Sequence, residues 1–286
     1  MGGFVIAQWV PGDAVDILLA ERSYTADGDQ LRRNLGFDRP LLERWWLFFS
    51  DAVRGDLGHS LLSGEPVVDM ITSRLGATGL LAIAAITIAV VIAIPAALLS
   101  ARWAGSGLDQ IGCALAVIGL SIPNFVLGPM LMIVFAIKLG WLPVAGAGEP
   151  RSLILPAVTL GISLAALLFR MTRASCIEVL SRQHIQAARA KGLRESSILC
   201  WHVLPNTALV LVTVLGLQLG ALLSGAVITE IVFSWPGIGT LLIDAIQRRD
   251  FPVIQGTVLF VAVVYIAINL ITDLIYGFCD PRITVR

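Results

Sequence analysis

"LLAIAAITIAVVIAIPAALL", residues 80–99, is apolar on every side of any helix it could form. A core helix of a soluble protein keeps a polar stripe toward water, and this stretch has none. A bilayer core ~30 Å thick is crossed by about 20 helical residues rising ~1.5 Å each. The stretch belongs to a window, 75–101, without Asp, Glu, Lys or Arg, and four more such windows follow at 110–137, 152–169, 203–229 and 251–272. Five membrane spans are expected, the third of them short.

Composition agrees with this. Of 286 residues 57% are hydrophobic and 14% charged, against roughly 25% charged in soluble domains. Lys plus Arg number 20, as do Asp plus Glu, which removes an electrostatic case for nucleic acid as a partner. Cys113, Cys176, Cys200 and Cys279 lie far apart, and His59, His184 and His202 form no HExxH, so no metal or other cofactor is expected. Pro95, Pro123 and Pro129 fall inside the windows. They read either as kinks around a path or as packing adaptations.

Residues 1–10, "MGGFVIAQWV", are too few to cross and lead into the turn former Pro11-Gly12-Asp13. They are expected to be the remnant of a first transmembrane helix, and without a basic n-region they do not read as a signal peptide. Residues 11–74 form a polar segment. Within it "RPLLERWWLFFSDAVRG", 39–55, places Leu41, Trp45, Phe48 and Ala52 beside Leu42, Trp46 and Phe49 at helical spacing. That aromatic face suits the headgroup layer, or packing within a small lid.

Charge sets the orientation. Between 170 and 202 stand Arg170, Arg173, Arg182, Arg189, Lys191 and Arg194 against Glu178 and Glu195, so the positive-inside rule puts this loop in the cytoplasm. Alternation then places 102–109 and the C-terminal "DPRITVR" inside, and 11–74, 138–151 and 230–250 outside. Residues 173–191, "RASCIEVLSRQHIQAARAK", favour a helix that Gly192 would stop. A second short helix is expected over 194–203 before Pro205 opens the next span. This helix–turn–helix is either a surface that a partner grips or a solvated basic hairpin.

Its pattern, Ala187-Ala188, Gly192 and Leu204-Pro205, resembles the cytoplasmic "EAA" loop of permease subunits of binding-protein-dependent ABC importers, with Gln186 where the motif's name has Glu. Further stretches are similar to the dipeptide/oligopeptide/nickel branch of that family: "GLSIPNFVLGPML", "LGWLPVAG", "ILPAVTLG", "GLQLGALLSGAVITEIVFSWPGIGTLLIDAIQRRDFPVIQG" and "NLITDLIYGFCDPRI". With "PGDAVDILLAERS", "LGFDRPLLERWW" and "RGDLGHSLLSGEPVVDMITSRLGATGLL" before them, they run in order along nearly the whole chain.

The resemblance implies an all-α integral membrane protein with the type I permease fold of ABC importers, having five full transmembrane helices over 75–286 plus the N-terminal remnant. It implies a bacterial inner-membrane subunit importing short peptides by alternating access, with nickel or glutathione as alternative substrates. The implied partners are a second permease, two cytoplasmic ATP-binding subunits and an extracytoplasmic binding protein. Gln186, Ala187, Ala188, Arg189, Gly192, Leu204 and Pro205, within a loop at about 173–205, are then the ATPase-coupling residues. No GxxxxGK[ST] phosphate loop occurs in the chain, in line with a subunit that does not itself hydrolyse ATP. On the outer side Glu230, Ser234, Trp235, Pro236, Gly237 and Gly239 are expected to form a gate or a docking loop. An amphipathic run at Ile238, Leu241, Leu242, Ala245 and Ile246 follows it. A secondary transporter would carry internal repeats and intramembrane carboxylates, which the five windows lack. A stand-alone channel is the other class, and it would be indifferent to the loop.

Overall fold

The computed structural model describes residues 40–279. The expected first-helix remnant at 1–10, the first part of the polar segment and the C-terminal tail lie outside the described residues. Among those described the structure is helical, with one isolated antiparallel bridge, His59 to Pro66. They form two compact units, one of 40–77 with Pro236–Val264 and one of Thr78–Trp235 with 265–279. Helices α2 (Val67–Arg102) and α10 (Phe251–Cys279) each contribute to both.

In the first unit, α1 (Leu41–Val53) starts at Pro40, and Trp46 and Phe49 are exposed while Trp45 stacks on Phe49 at 5.5 Å. A core of Val67, Ile71, Leu241, Ala245 and Val253 joins the start of α2 to α9 (Ile238–Gln247) and the start of α10. Ile238, Leu241 and Ala245 of the amphipathic run point inward, whereas Ile246 is exposed. The turn before α2 is pinned by Asp250, whose carboxylate accepts from Ser60 Oγ at 2.5 Å and from the Leu61 N–H at 3.2 Å. A buried carboxylate needs such donors.

The second unit centres on α5 (Ile154–Leu180), which packs against α3 (Gly107–Ser121), α4 (Asn124–Leu131) and α8 (Leu204–Val232). Sixty-seven per cent of its apolar window is buried, against 6% for α10, so α5 is the core helix and α10 is left to other company. Gly161 of α5 lets α2 approach closely, since a Cβ there would stand 2.9 Å from Ile88 Cγ2 and 3.1 Å from the Ala85 carbonyl. Likewise Gly216 and Gly220 of α8 meet Thr272 and Tyr265 of α10, a small-xxx-small contact of membrane helices.

Four helices are long and apolar enough to span a membrane, and the window 110–137 supplies the fifth as a bent pair, α3 and α4, at 103° to each other. Of the two readings open for Pro123, kink or packing adaptation, the structure shows a break: the proline pushes Ile122 into an extended conformation (φ −90°, ψ 114°). After α4 the chain widens into a π-helix at Met132–Lys138. The pair is a broken span rather than a re-entrant loop: the segment after it donates from Gly146 N–H to the Phe233 carbonyl at 2.8 Å. Phe233 follows the end of α8, a 29-residue helix about 43 Å long. The chain therefore emerges at the opposite end of α8 from where the basic hairpin enters it.

Candidate functional site

The basic hairpin is built in three pieces. The long helix expected through 191 stops earlier, because Ser181 Oγ bonds the Glu178 carbonyl at 2.7 Å and Arg182 turns extended (φ −73°, ψ 150°). Hydroxyls that bond the preceding turn compete in this way with the helix ladder. A separate α6 (Gln183–Ala190) follows. Gly192 ends it at φ +80°, with its N–H donating to the Arg189 carbonyl at 2.9 Å and that of Leu193 to Ala188 at 3.3 Å. Only glycine takes such a conformation without cost. Beyond it, α7 (Glu195–Ile198) runs through a π-helical turn, Leu199–Val203, straight into α8, with Pro205 in the first turn. Across the turn Arg189 pairs with Glu195 at 2.8 Å, in a solvated setting where such a pair adds little.

Two faces result. Ile185 and Ala188 are buried in a core with Leu98 and Ala101 of α2, Cys176 and Val179 of α5, and Ile198, Leu199 and Val203. Gln186, Ala187, Arg189, Gly192 and Pro205 are exposed, and Leu204 is half-buried. The hairpin is thus seated on the ends of two spans through Ile185 and Ala188 and presents the rest of its motif outward. Trp201, 77% exposed beside exposed Cys200, extends that outer face and was not anticipated.

Beneath the hairpin lies a cluster that sequence reasoning missed. Asp109 Oδ1 and Oδ2 accept from Arg173 Nε at 2.6 Å and from its terminal nitrogen at 2.7 Å. Ser100 Oγ also donates to Oδ1, and the Gly105 N–H to Oδ2 at 2.8 Å. The carboxylate is 4% exposed and fully partnered. Bidentate fork geometry makes this the strongest kind of side-chain contact. It also brings the ends of α2 and α5 and the start of α3 to one side of the unit, as the alternating topology requires.

The expected outer loop divides between the two units. In one, Glu230 is buried and accepts from Thr78 Oγ1 at 2.7 Å, and its carbonyl accepts from the Trp235 N–H at 2.8 Å. Ser234 is exposed at φ +49°, and Trp235 is buried. Phe233 is buried too, and its ring would stand 3.1 Å from a Cβ at Gly128. In the other unit Pro236 is half-buried, and buried Gly237 precedes α9 and accepts from Thr240 Oγ1 at 2.8 Å; Gly239 is buried. Among the described residues no group of three or more His, Cys, Asp or Glu could hold a metal.

Apolar spans, a broken helix between them and a hairpin seated on span ends define a membrane-embedded permease subunit. Residues 89–285 match the family described as "Binding-protein-dependent transport system inner membrane component", and the chain belongs to that family. It is 41% identical over 283 residues to the glutathione transport system permease protein GsiC of Pectobacterium atrosepticum, covering 99% of this chain and 92% of the relative. It is 40% identical, with the same coverage, to GsiC of Escherichia coli strain K12. Among solved structures, the inward-facing MetNI methionine ABC transporter aligns with a TM-score of 0.64 at 19% identity, over 74% of this chain and 96% of that one. An amino acid ABC transporter aligns at 0.55 and 17% identity, over 75% and 94%. The fold is that of an ABC importer transmembrane subunit, and the protein is an inner-membrane component of a bacterial transport system.

Proposed function

We propose that this chain is the translocation subunit of an importer for glutathione or closely related short peptides, working by alternating access. The observation that carries the reading is the two-faced hairpin: Ile185 and Ala188 seat it on α2 and α5, while Gln186, Ala187 and Arg189 face outward toward a partner. That partner is one of two cytoplasmic ATP-binding subunits, which hydrolyse the ATP while this chain does no chemistry. A second permease lines the path with it, and an extracytoplasmic binding protein delivers the substrate. Glutathione leads because the curated relatives named above carry that substrate in their names. Burial of Glu230 and Trp235 within their unit favours a gate over a docking surface for this part of the outer loop, since a docking face would be exposed. The broad aromatic face of α1, with Trp46 and Phe49 exposed, fits the outer headgroup layer.

Replacing exposed Ala187 with Arg tests the assignment. A bulky cation there should reduce co-purification of the ATP-binding subunits and ATP-dependent glutathione uptake by on the order of tenfold or more, with the permease itself inserted normally. Unchanged association and uptake would remove the coupling role, and uptake that ignores ATP altogether would favour a channel. Sidedness has its own test. With Cys113 and Cys279 replaced by Ser, Cys200 should react with a membrane-impermeant maleimide in inverted vesicles and stay unlabelled in intact cells; the reverse pattern would place the hairpin outside.

A further inference from the structure

The hairpin touches α2 and α5 through oily side chains, but nothing in that contact makes α3 follow. Apolar contacts are non-directional and can slide. The Asp109 cluster is different in kind. Its carboxylate binds Arg173 of α5 through two parallel N–H bonds, Ser100 near the end of α2, and the Gly105 N–H in the turn between α2 and α3. Asp109 itself sits in the first turn of α3, behind an N-cap at Ser106. One side chain therefore joins three spans and the turn connecting two of them.

Position relative to the hairpin makes this joint relevant to transport. Cys176 lies just under one helical turn beyond Arg173, and Ala101 directly follows Ser100; both belong to the core in which Ile185 and Ala188 of α6 are buried. Any displacement of α6 thus reaches α5 and α2 within one turn of the ion pair. The pair also resists bending and sliding, because a guanidinium fork on a carboxylate fixes orientation as well as distance.

Resting on the importer reading above, we propose that Asp109 and Arg173, with Ser100, are positioning residues of the transport cycle. Their joint yokes α3 to the seat of the hairpin, so that α2, α3 and α5 move as one body when the ATP-binding subunits close. Without it, α6 still rocks its seat, but the broken span α3–α4 lags, and ATP is consumed without substrate crossing.

The test uses the complete complex of both permeases, both ATP-binding subunits and the binding protein in lipid vesicles, with glutathione as the probe. Its readout is ATP hydrolysed per glutathione imported. Removing one partner would strand a buried charge and confuse assembly with coupling. The informative variant is therefore the double replacement D109N/R173Q, which removes both charges and keeps a donor nitrogen where Arg173 Nε stood, facing an amide oxygen. It should assemble and continue to hydrolyse ATP while the ratio rises on the order of tenfold. A wild-type ratio in this variant would overturn the proposal and leave the pair a purely structural contact. Should the double variant not assemble, R173K decides: it keeps the charge but loses the fork, and the ratio should rise about fivefold, whereas an unchanged ratio overturns the yoke. Failure of the wild-type complex to couple ATP to glutathione uptake is a separate result, which would strike the importer reading itself.

Discussion

Replacing Gly216 with Ala should destabilise the protein by about 1–3 kcal/mol, the usual range for overpacking a tight core. A Cβ at this position would stand 2.2 Å from Thr272 Cγ2, 2.5 Å from its Oγ1 and 2.9 Å from its Cβ. Threonine is stiff at χ1, so the two helices must separate rather than the side chain swing away. Separation is costly where α8 and α10 depend on close approach, because lipid tails are as apolar as the side chains and no hydrophobic force draws the helices together. Thermal unfolding in detergent, followed by loss of soluble monodisperse protein, measures the effect. Two comparisons make it specific. Thr272→Ala in the G216A background should recover part of the loss, since it deletes the two nearest atoms and leaves the third. Gly220→Ala should cost less than Gly216→Ala, because its nearest neighbour is the edge of the Tyr265 ring at 2.4 Å, the far end of a side chain that can rotate. Equal stability of G216A and wild type would show that α8 and α10 do not meet as described.

Gly192→Val should lower ATP-dependent uptake by on the order of tenfold or more while leaving the amount of membrane-inserted protein nearly unchanged. Nothing lies within 4 Å of a Cβ built on Gly192, so crowding plays no part. The cost is in the backbone. At φ +80° a β-branched residue is badly placed, and escape from that region saves roughly 1–2 kcal/mol, enough to unwind the C-terminal cap of α6. The cap aims α6, and with it Gln186, Ala187 and Arg189. Asn tolerates this region better than Val, so Gly192→Asn should retain most of the uptake. Uptake measured beside co-purification of the ATP-binding subunits separates a re-aimed hairpin from a missing one. Wild-type uptake in Gly192→Val would mean that the turn's geometry is irrelevant to coupling.

Spans were legible because bilayer thickness imposes a length and lipid forbids charge, two constraints that act on consecutive residues. The bend at Ile122 was partly legible: the restraint a proline places on its predecessor is local, so a kink was one of the two readings of Pro123, but its size, 103°, had to come from the structure. The Gly216–Gly220 spacing was visible too, and only its partner helix had to come from the structure. The break at Ser181-Arg182 was harder. Helix-favouring residues such as Glu178 and Leu180 before it and Gln183, Ala187 and Ala188 after it argue for one continuous helix, and a single serine competing for the Glu178 carbonyl decides otherwise. Asp109 and Arg173 were out of reach of any local rule: they are 64 residues apart, and each reads by itself as an ordinary loop charge. The hairpin motif was named from a resemblance in its residue pattern, and the structure divides those residues into a seated Ala188 and an outward-facing Gln186, Ala187 and Arg189.

The 103° break between α3 and α4 has one more consequence. Wherever a helix stops and another starts, carbonyls at one end and amides at the next lose their intrahelical partners. Within a hydrocarbon layer, acyl chains offer none in return. Ser121, Asn124 and Ser163, with Ser163 Oγ donating to Asn124 Oδ1 at 2.6 Å, add hydroxyls and an amide at the same level. Groups of this kind at membrane depth require protein or water beside them, and Asn124 and Ser163 already supply part of that company to one another across α4 and α5.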